Sequence, residues 1–289
     1  MGKLLTKRII ENGMRVPGGK LCICSMSSDA LGCDKPFTVY LPEDYDKTDV
    51  PYPVLYLFHQ AGGTSETWSR IGHIREILDD AIRSKMVLPM IVVMPDASGE
   101  DERHLGRHLG YFSVDGWDYE RYFYEELLPL IDTEFRTIGS KAFRAICGVS
   151  MGGEAAISYA QRYPQYYGSA CAISGIVGKP EQSQLKSTDE AYAQSLLNHN
   201  PSVFVRDADS KTVERLKSIR WYTDCGDSDF FYEGNIEFFL NMKEKGIPID
   251  FRMRSGVHCF YYWITGMPGV LQFVSNGFAE EAFRNRKDV

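Results

Sequence analysis

The stretch "FRAICGVSMGGEAA", Phe143 to Ala156, runs from a short apolar segment through a serine set between glycines into a run of small residues. An apolar run of this length reads as a buried strand, and the small residues beyond it let a helix begin close to the strand. Gly148-Val149-Ser150-Met151-Gly152 matches Gly-x-Ser-x-Gly, the pattern of a tight strand-to-helix turn that exposes a serine hydroxyl as a nucleophile. Five residues alone are weak support, so the rest of the chain must supply the context.

Outward from this stretch the chain alternates strand and helix patterns. "PVLYLFH", "LPMIVVMPD", "GSACAIS", "SIRWYTDC" and "DFRMRS" read as strands, preceded by "GKLCICSMSS" and "PFTVYLPEDY". Between them, "ETWSRIGHIREILDDAIRSK" predicts one helix with Ile71, Ile74, Ile77, Leu78 and Ile82 on a single face. "DYERYFYEELLPLIDTEF", the segment from Met151, "IEFFLNMKEKG" and the stretch beyond His258 predict further helices. Such alternation implies βαβ units: a single three-layer α/β domain over 1–289, with a mainly parallel central sheet and helices on both faces. A polar stretch at about 178–217 breaks the rhythm and is expected to be a small inserted cap or lid.

A serine hydroxyl needs a base to take its proton and a third group to orient that base. Of the six histidines, His258 follows the last strand, where a parallel sheet delivers its loops, and it comes after the acid candidates, in the order Ser, acid, His. His199, in "LLNHNPSV", falls inside the expected cap and before the acids. "RWYTDCGDSDFFYEGN" offers three carboxylates. Asp224 is still within its strand, whereas Asp227 and Asp229 lie in the turn past Gly226; Asp229 is favoured and Asp227 is its rival. For the developing oxyanion, one N–H is expected from Met151 and a second from Ala61 or Gln60 in "YLFHQAGGT", where Gly62 and Gly63 allow close approach. Aromatic residues gather around these motifs, among them Tyr111, Phe112, Trp117, Phe230, Tyr232 and Tyr261; Trp68, Phe231 and Trp263 are the candidates for substrate contact.

Bulk composition narrows the alternatives. The 289 residues are 44% hydrophobic and 25% charged, enough for one large core, and the net charge of −7 argues against nucleic acid as the partner. The longest apolar runs are strand-length, so no membrane span is expected. The 7 cysteines show no framework spacing; Cys147, Cys171 and Cys225 sit in apolar runs as small hydrophobes. "DERHLGRH" spaces His104 and His108 four apart beside Asp101 and Glu102, but Gly106 argues for a loop, so no metal and no cofactor is expected. The amino end has no apolar run of a signal peptide. The compartment stays open: secreted or periplasmic if an export signal has been removed, cytoplasmic otherwise. Oligomeric state is not legible.

Taken together, "PFTVYLPEDYD", "YPVLYLFHQAGGT", "ICGVSMGGEAA", "CGDSD" and "GVHCFYYW" resemble the α/β-hydrolase esterases of the first carbohydrate-esterase family, the feruloyl and acetyl xylan esterases. The resemblance implies a Ser-His-Asp serine esterase acting through an acyl-enzyme on a small ester or acylated oligosaccharide, with feruloyl or acetyl esters of plant polysaccharide as the substrate class. It also implies the acid at the end of a Cys-Gly-x-x-Asp turn, which is Asp229. This chain has His59-Gln60 where that family often has His-Gly, which leaves the second oxyanion donor open. The S-formylglutathione hydrolases are relatives, but their Ser-Gly-Leu-Thr-Cys run is absent here. Siderophore-ester hydrolases and acyltransferases of the same fold are further alternatives, as is a non-catalytic binding protein that keeps the fold.

Overall fold

The computed structural model describes residues 2–10, 18–99, 110–178 and 190–287. Among them, nine strands form one sheet: β1 (Lys3–Ile10), β2 (Lys20–Ser28), β3 (Cys33–Leu41), β4 (Val54–Phe58), β5 (Ile91–Pro95), β6 (Arg144–Val149), β7 (Ser169–Ile173), β8 (Arg220–Gly226) and β9 (Ile249–Arg254). Their order is β1-β2-β3-β5-β4-β6-β7-β8-β9. The first four in that order pair antiparallel, and every pairing from β5 onward is parallel.

The central strands explain the layers. "VLYLF" in β4 and "RAICGV" in β6 are buried at every position, which requires cover on both faces. Alternate side chains enter opposite cores: Tyr56, Phe58 and Ile146 go to one, Leu55, Leu57, Ala145 and Cys147 to the other. Helices α1 (Thr67–Arg70) and α2 (Ile74–Arg83) are followed by α3 (Tyr119–Arg121), which runs through a π-helical stretch, Tyr122–Leu127, into α4 (Leu128–Glu134). This segment and α5 (Met151–Arg162) cover the first face, while α2 covers the second together with the long carboxyl-terminal helix. The expected three-layer α/β architecture is what the chain adopts.

One local expectation is corrected, and one strand was not foreseen. The single helix expected over 66–85 breaks at Gly72-His73, where His73 takes φ 50° and a side chain on Gly72 would strike the Trp68 ring at 2.4 Å. Ile71 consequently leaves the apolar face and is 52% exposed, while Ile74, Leu78 and Ala81 carry the packing. β1 was not anticipated, because an edge strand exposed along nearly all its length carries no alternating burial signal. The stretch expected to be a cap is inserted between β7 and β8 and holds α6 (Glu190–Asn198), α7 (Pro201–Arg206) and α8 (Ser210–Lys217); residues 179–189 lie outside the described residues. Its described contacts run to the flank of the first helix layer. Gln161 Nε2 donates to the Pro201 carbonyl, the Ser202 N–H donates to the Val177 carbonyl, and the His199 ring stacks on Phe112 at 4.1 Å. Among the described residues no helix is long and apolar enough to cross a membrane.

One feature of α5 departs from the rule that buried polar groups are paired. Glu154 is fully buried and neither of its carboxyl oxygens has a hydrogen-bond partner. Burial pushes its pKa well above the usual carboxyl range, so the folded chain retains a proton that the unfolded chain releases. The folded state then binds more protons, and stability contributed at this position falls as pH rises past the ordinary carboxyl value. Glu154→Gln keeps the shape and removes the titration. The variant is expected to gain on wild type by roughly 1–3 kcal/mol between about pH 5 and about pH 8, measured by urea unfolding at both. An advantage that does not change with pH would mean that Glu154 is not held protonated.

Candidate active site

β6 ends at Val149 and α5 begins at Met151, which leaves Ser150 alone in the bend with φ 54° and ψ −123°. That conformation is costly for a residue with a side chain and persists only where the surroundings over-determine it. Here they do. The Ser150 N–H donates to the Ile173 carbonyl of β7 at 3.1 Å, and its own carbonyl accepts from the N–H groups of Gly153 and Glu154 at 2.9 and 3.1 Å. A side chain on Gly148 would come within 2.1 Å of the Gly152 carbonyl oxygen, and one on Gly152 within 2.5 Å of the His59 carbonyl oxygen. Glycine at both places is the condition for strand, bend and helix to close on one another.

The bend aims Ser150 at the far end of the chain. Ser150 Oγ lies 3.0 Å from His258 Nε2, and His258 Nδ1 lies 2.9 Å and 3.1 Å from the two carboxylate oxygens of Asp229. Asp229 is 1% exposed and Ser150 6%. Burial alone would push the Asp229 carboxyl up, but the His258 imidazole and the Phe231 N–H at 2.9 Å outweigh it and hold Asp229 below the usual carboxylate range. A carboxylate kept ionised beside Nδ1 favours the tautomer that leaves Nε2 free to accept a proton from the serine. Asp227 instead accepts the Gly256 N–H at 3.1 Å, which ties two turns together. Asp224 is bound by Arg254 Nε at 2.8 Å and by the Tyr262 hydroxyl.

The turn after β4 stands beside the bend, since it is the His59 carbonyl that Gly152 touches. Gln60 and Ala61 follow His59 in that turn, and Met151 precedes Gly152 at the first position of α5. The turn itself is braced from below. The Ala97 N–H donates to His59 Nε2 at 3.0 Å, so the ring proton sits on Nδ1, which donates to the Gln60 carbonyl at 2.7 Å. The His59 N–H donates to the Tyr111 hydroxyl at 2.7 Å, and Tyr111 stacks on Phe58 at 4.2 Å. Asp96, held below the usual carboxylate range because the Lys35 ammonium and the hydrogen bonds from Ser98 and Ser65 outweigh its burial, accepts the Ser65 N–H at 2.9 Å. His59, Tyr111 and Asp96 therefore position this turn. None of the three shows as a positioning group in sequence, although Asp96 does carry a signal: it directly follows strand β5, which ends at Pro95.

The aromatic candidates separate by burial. Trp68 is corrected to a core residue: it is 1% exposed, and its Nε1–H donates to the Phe58 carbonyl. Tyr111, Phe112 and Trp117 are also buried. Trp263 and Phe231 do stand at the site, with their rings edge-on to the His258 imidazole at 5.0 and 5.2 Å. Phe230, 64% exposed, lies on the same imidazole at 4.3 Å. His104, His108, Asp101 and Glu102 lie outside the described residues. Within the described residues no group of three or more His, Cys, Asp or Glu is arranged to hold a metal ion.

The family model for esterases matches residues 28–274, most of the chain. The chain belongs to the Esterase family. A solved ferulic acid esterase is 34% identical to this chain, over 91% of it and 100% of that one, with a TM-score of 0.85. An endo-1,4-beta-xylanase/feruloyl esterase of Xylanibacter ruminicola is 33% identical over 159 residues, and an esterase of Mycobacterium tuberculosis is 33% identical over 174. The chain spans 21% and 34% of the length of those two relatives, respectively. The expected resemblance to feruloyl esterases and the α/β-hydrolase fold both hold.

Proposed function

We propose that this esterase hydrolyses carboxylic esters through a covalent acyl-enzyme, with Ser150 as nucleophile, His258 as general base and then general acid, and Asp229 as the group that orients and charges the imidazole. The unbroken path from Ser150 Oγ to His258 Nε2 and from His258 Nδ1 to Asp229, at 3.0 and 2.9 Å, carries the reading. His258 takes the serine proton as Oγ attacks the ester carbonyl, and the oxyanion is met by the Met151 N–H and by that of Ala61 or Gln60. The alcohol departs with the proton from His258. Water, activated by the same imidazole, then releases the acid and restores the serine.

The substrate class is feruloyl or acetyl esters of plant polysaccharide, supported by the ferulic acid esterase and the xylanase/feruloyl esterase among the relatives. A panel of methyl ferulate, an aryl acetate, acetylated xylan and an acyl thioester, assayed side by side, tests it. The oxygen esters are expected to exceed the thioester in kcat/KM by about tenfold or more. Preference for the thioester would move the activity toward the S-formylglutathione hydrolases, and hydrolysis of none of the four would favour a binding protein.

A further inference from the structure

Three rings surround the His258 imidazole, and they differ in what they expose. Trp263 is 4% exposed and closes one side; Phe231 is partly buried, and its backbone N–H is spent on Asp229. Phe230 presents most of its ring to solvent while lying tilted by 37° on the imidazole. A phenylalanine this exposed adds little to the core, and what sets it apart is its contact: an accessible aromatic face lies directly on the imidazole.

Its role follows from the path of the proton. In acylation the bond from the carbonyl carbon to the alcohol oxygen breaks, and the proton taken from Ser150 passes from His258 Nε2 to that departing oxygen. The departing oxygen must therefore come within hydrogen-bond reach of Nε2, about 3 Å. Ser150 and Asp229 are buried and Trp263 closes one side, and among the described rings that touch the imidazole Phe230 is the one that is mostly exposed, so the alcohol is directed across Phe230. We infer that Phe230 is the platform for the alcohol portion of the ester, and that the alcohol it fits is a sugar ring. The inference rests on the esterase reading above.

The neighbours of Phe230 favour a sugar over other alcohols. Asp227 and Ser228, on the same turn, are exposed, so a group seated there meets an aromatic face edged by hydrogen-bonding side chains. A sugar offers a face of C–H groups to the ring and hydroxyls to the polar edge. Methanol is too small to reach the platform, and an alkyl alcohol leaves the polar edge unused. Because the alcohol has gone before deacylation, the platform acts on the first half of the reaction only.

The test compares two esters of one acid, methyl ferulate and a feruloylated arabinofuranoside, using wild type, Phe230→Ala and Phe230→Trp. Phe230→Ala is expected to lower kcat/KM for the sugar ester by about fivefold or more beyond any loss on the methyl ester. Phe230→Trp, which keeps a ring, is expected to hold the ratio of the two within about twofold of wild type. Equal losses on both esters would mean that Phe230 only supports His258, and no loss on either would mean that it touches nothing; both overturn the platform. A wild type that hydrolyses neither ester overturns the esterase reading and the platform with it, an outcome distinct from a wild type that hydrolyses both and is indifferent to Phe230.

Discussion

Replacing Ser150 by alanine is expected to lower turnover of an aryl ester by about 10,000-fold or more, with the fold intact. The size follows from the geometry. Ser150 Oγ is the atom 3.0 Å from His258 Nε2, and without it the imidazole has only water to activate. The oxyanion donors would survive the change, because they belong to the backbone, so some activity above that of free solution should remain. The measurement is kcat on an aryl acetate together with a thermal melt, since alanine at φ 54° carries the same backbone strain as serine. Retention of more than about a tenth of wild-type activity would remove Ser150 from the role of nucleophile.

The second large effect separates two carboxylates that sequence leaves as rivals. Asp229→Asn is expected to reduce kcat by about 1,000- to 10,000-fold, because an amide beside Nδ1 favours the tautomer with the proton on Nε2, where it cannot accept from serine. Asp227→Asn should stay within about threefold of wild type, since that side chain accepts a backbone N–H from Gly256, whereas both Nδ1 contacts of His258 go to Asp229. The acid's low pKa adds a signature in stability. A carboxyl held below its ordinary value contributes stability that is present above that value and is lost as pH falls through the folded one. Asp229→Asn should flatten that acid-side loss in urea unfolding. An inactive Asp227→Asn beside an active Asp229→Asn would reverse the assignment.

The residues that were legible in sequence share one property: the chemistry restricts which amino acids can occupy them. Gly148 and Gly152 leave no space for a side chain, so the bend around Ser150 shows as a pattern. The β4 run shows because burial on both faces admits only apolar residues. What stayed hidden depends on tertiary context. The break at Gly72-His73 lies inside a good helical pattern, and only the approach of the Trp68 ring makes it necessary. Trp68 lies close in sequence to the turn after β4, but it faces the core beneath it, and aromatic density cannot tell a floor from a wall. The bracing of that turn by His59, Tyr111 and Asp96 joins residues 31 to 52 positions apart, beyond the reach of any local motif.

The contact between Gly152 and the His59 carbonyl has a consequence for how such an enzyme can change. It joins the bend and the neighbouring turn main chain to main chain, with no side-chain torsion in between. Spacing between the attacking atom and its polar surroundings is therefore inherited from the scaffold and is insensitive to the rings that decorate the mouth. Exchanges among the exposed side chains around the bend leave that main-chain contact in place, so variation there is compatible with an unchanged backbone at Ser150.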